Sequence, residues 1–212
     1  MPDRPMIFPA PMILALLAGN QTQTLRLLPT PMPPQPAMDA VSPMNIGKEL
    51  HPAPYFDAYC GQQRTAANPR GMSGRWCWWT RDDRMCHPTV NVGYVPGDRL
   101  WVREAHYLTD DGDHQSAVYA ADADAAADHL LRVHQIAKRI SLSDEWLASH
   151  IKKRPSTHMP RWASRLTLTV TDVRVPRLHY TDAEAAMIEG APAYVVALNF
   201  TVAQHNIDAP DA

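Results

Sequence analysis

The sequence predicts an α+β protein built on a small mixed barrel. Three observations carry that expectation. Several short segments alternate in hydropathy with a period of two, the mark of half-buried strands. A few helical segments with recognisable start and stop signals stand between them. Short strands with only a few helices between them suggest α+β built on a small mixed barrel.

Met6 to Phe8 reads as a short strand. Pro11 suits the first turn of a helix running to about Ala18, and Gly19 suits its C-terminal cap. Asn20 to Arg26 is polar and then extended. Residues 29 to 54 carry Pro29, Pro31, Pro33, Pro34, Pro36, Pro43, Pro52 and Pro54, which predicts a surface loop. Residues 55 to 93 read as irregular and aromatic. Within them Trp76, Trp78 and Trp79, followed by Arg81-Asp82-Asp83-Arg84, read as a hairpin with a polar turn. Pro96-Gly97-Asp98 is a turn signal. Arg99 to Glu104 alternates as a strand, and Ala117 to Ala120 is the next one. Asp122 to Ile140 is alanine-rich and reads as a helix, with a shorter one capped by Ser143, together a helical insertion over 121–150. Arg165 to Val175 is the clearest strand, its apolar face changing after Asp172 as at a bulge. Thr181-Asp182-Ala183-Glu184 is a capping box opening a helix that ends at Gly190. Tyr194 to Val202 is the last strand, and a loose polar tail is expected from Asn206. The organisation expected is one domain over 1–28 and 94–205, interrupted by an insertion over 29–93.

The chain has 212 residues, of which 45% are hydrophobic and 20% charged, enough to bury a core. Its formal net charge of −2 excludes a global basic field, so nucleic-acid contact has to come from a local patch. Three cysteines are an odd number, which argues against a disulfide framework and for a reducing cytoplasm. The apolar stretch Met6 to Ala18 is broken by Pro9 and Pro11 and lacks a cleavage signal, so neither membrane insertion nor secretion is expected.

Four constellations bear on chemistry. The first is the loop Gly19 to Arg26, with Gln21, Thr22, Thr24 and Arg26. A threonine hydroxyl is a weak nucleophile without a base, and an amide cannot be that base. Its plain alternative is a polar loop whose threonines satisfy backbone groups. The second is Ser156 to Arg165, which gathers His158, Arg161, Trp162 and Arg165 beside the cationic run Lys152-Lys153-Arg154. Arginine forks suit phosphates and aromatic faces stack on bases; the alternative is a packed Trp162 with solvated arginines. The third is Glu189 at the end of the capped helix, where an anion is disfavoured and its pKa rises slightly. The fourth is Cys60, Cys77, Cys86 and His87, whose spacings match no zinc pattern, so no metal and no cofactor are expected. His129 and His134 are five apart and do not share a helix face.

At these residues the chain resembles a known family. MILALLAGNQTQTLRLLP is similar to the opening of the ASCH domain, a helix followed by Gly-Arg-Lys-Thr-x-Thr-x-Arg. PGDRLWVRE is similar to the family's Gly-Asp-x-Leu-x-Val strand. PSTHMPRWASRLTLTVTDVRVPRL resembles a segment of prophage-encoded ASCH-like proteins, YTDAEAAMIEG the helix after it, and LNFTVAQHNID their C-terminal strand. The resemblance covers about half the chain, and MPRWASR is its most specific part. It implies a PUA-like barrel with a cleft lined by the first loop. Some small ASCH proteins are amidohydrolases acting on N4-acetylcytidine, using a lysine and a threonine of that loop and a later glutamate. Carried over, the threonine is Thr24 and the glutamate Glu189, while the lysine position holds Gln21. Asn20 and Leu25 stand where two arginines would, and only Ala-Pro-Ala separates Gly190 from Tyr194. Loss of a general base costs about 10²–10⁴-fold in rate.

Three functions follow as expectations. A binding module would recognise a nucleoside or RNA through Arg26, Arg161, Trp162 and Arg165, with Gln21 and Thr24 on a base edge. An amidohydrolase would use Thr24 as nucleophile, Glu189 as proton shuttle, Gln21 at best to orient the substrate or an oxyanion, and His158 as the replacement base. An accessory phage protein would have lost the site and would dock a protein partner through the proline-rich loop.

Overall fold

A computed structural model describes residues 3–28, 31–45, 47–110, 115–141, 143–177 and 194–208. It shows a mixed α+β protein. The predicted capping box and Glu189 lie outside the described residues. The chain divides into two compact units. One comprises Met1–Thr22, Arg99–Thr169 and Thr201–Ala212, the other Gln23–Asp98 and Val170–Phe200.

The first unit opens with β1 (Arg4–Ile7) and α1 (Ala10–Leu17). Pro9 and Pro11 suit the start of α1, where no amide donor is needed. Gly19 ends the helix at a φ of 71°, a left-handed conformation glycine adopts without strain. The Gly19 N–H donates to Leu16 and the Asn20 N–H to Ala15, which satisfies two of the helix's last carbonyls. Ile13 and Leu16 of α1 are fully buried. Strand β1 runs parallel to β6 (Arg99–Arg103), and β6 pairs antiparallel with the start of β9 (Thr167–Arg174). Leu100, Val102, Leu166 and Leu168 form the buried rows of these strands.

A second, two-stranded sheet joins β7 (His106–Asp110) to β8 (Gln115–Tyr119). Then come α2 (Ala123–Arg139) and the short α3 (Asp144–His150). In α2 the buried residues are Ala126, His129, Val133 and Ala137, three or four apart, so one stripe is covered. Asp122 holds the N-cap position of α2 without capping it. Its carboxylate is committed to Arg165 instead. The expected loose tail is held through Asp208. Ile207 is buried, and its carbonyl accepts from Arg99.

The second unit contains β2 (Gln23–Leu27), which pairs antiparallel with β10 (Val195–Ala203) so that Thr24 faces Leu198 and Arg26 faces Val196. The strand order of the sheet carrying these elements is β1-β6-β9-β10-β2. The region read from sequence as irregular forms a three-stranded antiparallel sheet of β3 (Tyr55–Cys60), β4 (Met72–Trp79) and β5 (Val90–Asn91). Its turn depends on Asn68, buried, whose side-chain amide both donates to and accepts from the Met72 backbone. Gly71 has a φ of 68°, and a Cβ there would meet the Gln62 carbonyl oxygen at 2.4 Å, so no other residue fits. The expected polar turn after Trp79 is present, closed by bonds between Thr80 and Arg84.

The apolar face of β9 changes as expected. Leu166, Leu168 and Val170 are buried, and Val173 is the next buried residue after them. Among the described residues no helix is long and apolar enough to cross a membrane.

Candidate functional site

Between Glu145 and Asp172 the sequence holds no acidic residue but carries Lys152, Lys153, Arg154, Arg161 and Arg165. In the first unit this stretch forms two 3-10 turns, Ser156–His158 and Arg161–Ala163, before entering β9. Prolines 155 and 160 stand at the N-cap of each turn, so the chain enters both in extended conformation.

Arg165 anchors the segment from below. Its Nε and Nη2 donate to the two oxygens of Glu104 at 2.9 Å each. Its Nη1 and Nη2 also donate to Asp122. The guanidinium lies 3.9 Å from the centre of the Tyr119 ring, and the Tyr119 hydroxyl donates to the Ala163 carbonyl at 3.0 Å. Glu104 is almost wholly buried, at 2% exposure. Burial raises its carboxyl above the usual range by more than Arg165 draws it down. For Arg165 burial acts downward, but the bonds to Glu104 and Asp122 outweigh it and hold the guanidinium firmly charged. Tyr119 is likewise pushed up by burial, against the pull of Arg165.

Arg161 anchors the segment at its flank. Its Nε donates to both oxygens of Asp208, at 3.1 and 3.0 Å, and its Nη2 reaches Asp3 and Asp208. The hydrogen bonds it donates to Asp208, then Asp3, raise its pKa. Asn206 completes the clamp, its amide nitrogen donating to the carbonyls of Arg161, Trp162 and Ser164 at 2.9, 3.0 and 2.8 Å. The Ser164 hydroxyl is shared between the carbonyls of Val102 and Leu166. Met159 is buried, its sulfur accepting the Glu104 N–H.

On this fixed backbone Trp162 is left 44% exposed, whereas Trp76, Trp78 and Trp101 are each below 10%. His158, Lys152, Lys153 and Arg154 are exposed too, and the three cations have no carboxylate partner among the described residues. Arg103, whose Nε donates to Ser156 at 3.0 Å, lies over the Trp101 ring at 5.4 Å. The surface of this segment therefore offers an aromatic face with unspent positive charge nearby in sequence. Phosphate and base recognition use that pairing.

The other sequence-predicted site residues fall elsewhere. Gln21, half-buried, and Thr22, exposed, belong to the first unit. Thr24, 2% exposed, and Arg26, half-buried, belong to the second. Burial draws the Arg26 pKa down, against Tyr94 nearby. Cys60, Cys77 and Cys86 are free thiols, and no cluster among the described residues could hold a metal ion. Burial first, then Cys86 and Asp57, push the Cys77 thiol up to about 11, which keeps it protonated and unreactive at neutral pH.

Sequence reading missed the partners that build the site: Asp3, Glu104, Tyr119, Asp122, Asn206 and Asp208. One signal was available. An arginine at the mouth of an apolar strand must be paired if it is to be buried, and Arg165 is the residue before Leu166.

An α+β protein with a clamped, cation-flanked tryptophan is the class these features define. No protein-family model matches the chain, and no curated protein or solved structure matches it.

Proposed function

We propose that this chain is an ASCH-like, PUA-like module of phage or prophage origin that binds single-stranded RNA or its nucleosides. It would act in the cytoplasm of the bacterial host, which suits its three free thiols. Trp162 carries the reading: a large aromatic face left 44% exposed on a backbone that Arg161, Asn206 and Arg165 hold in place. Rigid aromatic faces stack on bases with little entropy loss, at about 1–3 kcal/mol per base. Lys152, Lys153 and Arg154 supply attraction for the phosphates. Arg161 and Arg165, expected from sequence to touch the ligand, act here as positioning residues because carboxylates already occupy their donors.

A binding reading is favoured over a hydrolytic one because Thr24 is buried on a paired strand. The test is fluorescence anisotropy with a labelled single-stranded oligoribonucleotide. Wild-type binding that weakens about tenfold or more in Trp162→Ala supports the reading. Absence of binding by the wild type overturns it.

A further inference from the structure

The proline-rich segment, which the site above leaves unused, is engaged within the second unit. The Trp78 indole N–H donates to the Pro33 carbonyl at 2.9 Å. Trp78 stands on β4 with Trp76, two residues away and therefore on the same face. Phe56 of β3, opposite Trp78 in the register, lies 5.5 Å from its ring edge-on and 6.0 Å from that of Trp76. Trp78 thus joins an aromatic row of this three-stranded sheet to the chain's own Pro31-Met32-Pro33-Pro34-Gln35-Pro36.

That hexapeptide has little conformational choice. Each proline fixes its own φ and pushes the preceding residue to extended backbone. The result favoured is polyproline II, a helix of three residues per turn with no internal hydrogen bonds and free carbonyls. The exposures follow that period: Pro33 and Pro36 are half-buried, while Pro34 and Gln35 between them are exposed. Aromatic grooves recognise such helices, taking proline rings against the faces and a carbonyl on a polar edge.

A second observation points to a ligand. The Trp76 indole nitrogen is buried and has no hydrogen-bond partner, in a residue only 3% exposed. A buried donor left unmade is costly. The chain's own segment therefore satisfies one indole N–H of this face and leaves the other, buried, without a partner.

We propose that the Phe56–Trp76–Trp78 face is a polyproline-II-binding site, occupied in cis by residues 31–36 and able to take a proline-rich segment of another protein. The tether that presents the cis ligand is visible. Asp82 accepts from the Ser42 N–H at 2.8 Å and from Asn45 at 3.0 Å, Arg84 donates to the Ala40 carbonyl at 2.8 Å, and Arg81 to that of His51 at 2.7 Å. A ligand so tethered competes at millimolar effective concentration. An external segment gains access when that tether loosens or when its own carbonyls pair with both indoles.

The test is a titration with a synthetic peptide of residues 31–38, followed through tryptophan indole N–H signals by NMR, with Trp78 assigned from Trp78→Phe. The full-length double variant Pro33→Ala/Pro36→Ala is expected to show saturable shifts of the Trp76 and Trp78 signals. Wild type should show the same shifts at more than about tenfold higher peptide, which keeps the test informative if the double variant does not fold. A peptide with glycine at every proline should shift neither signal. The proposal is overturned if excess peptide moves neither indole in either protein, or if the glycine peptide moves them equally.

Discussion

Arg165 and Glu104 meet through two parallel hydrogen bonds of 2.9 Å, a fork-to-fork pair at the root of the exposed segment. Because Glu104 is 2% exposed, removing its partner strands a carboxylate in the core. Arg165→Met is expected to destabilise the fold by about 3–5 kcal/mol in urea unfolding. Arg165→Met/Glu104→Met should recover a substantial part of that loss, since the buried carboxylate is gone and the carboxylate left without Arg165, Asp122, is 33% exposed.

Arg165, Trp162 and the lysines stand in one run and were legible together in the sequence. The carboxylate partners of Arg161 and Arg165 lie 43 to 158 residues away and come from a strand end, a helix cap and both termini. Helix α2 was legible because one stripe of it is covered, and strands β6, β9 and β10 because their large apolar residues recur at every second position, even though burial in β6 and β10 reaches both faces. Strand β4 was not: Trp76, Cys77, Trp78 and Trp79 are apolar in succession, so the sequence carries no alternation there. Asp122 read only as the first residue of a helix, yet its carboxylate goes to an arginine.

His106 is wholly buried, with Nδ1 at 3.1 Å from the Glu104 carbonyl and Nε2 without a partner. Burial first, then Arg154 and Arg103, lower its pKa below the usual 6.5, against the pull of the Glu104 carbonyl. The folded state therefore binds this proton less readily than the unfolded chain. Stability is full above 6.5 and falls as pH drops through it. Glu104, raised, has the opposite slope. His106→Asn isolates the imidazole: the fall in urea midpoint between about pH 7.5 and about pH 5.5 should be smaller in the variant.

The Asp82 carboxylate is held well below the usual range by hydrogen bonds from Asn45 and Thr80, then from Ser42 and Arg84, against its own desolvation. Its contribution is present above 3.8 and is lost as pH falls below that value. Asp82→Ala should loosen residues 40–45 at neutral pH. Limited trypsin digestion is expected to cleave after Lys48 faster in this variant than in wild type.

Thr24 is buried opposite Leu198, and the amide of Gln21, unlike an amine, cannot serve as a base. Chromatography of N4-acetylcytidine incubated with the protein is expected to show no released cytidine. Gln21→Lys should not restore turnover, because a base does not expose the hydroxyl.

Lys152 and Lys153 are exposed cations in the proposed interface. Lys152→Ala/Lys153→Ala should weaken RNA binding across sequences. It should also flatten the dependence of log K on log salt by about 0.7 for each phosphate no longer neutralised.

Stacking by Trp162 is most directly tested by its replacement with an aromatic and an aliphatic residue. Binding of a labelled single-stranded oligoribonucleotide would be measured for Trp162→Phe and Trp162→Leu beside wild type, with circular dichroism confirming the fold. Phenylalanine is expected to retain most of the affinity and leucine to lose about tenfold or more. Leucine binding as tightly as tryptophan would contradict a base-stacking role for this residue.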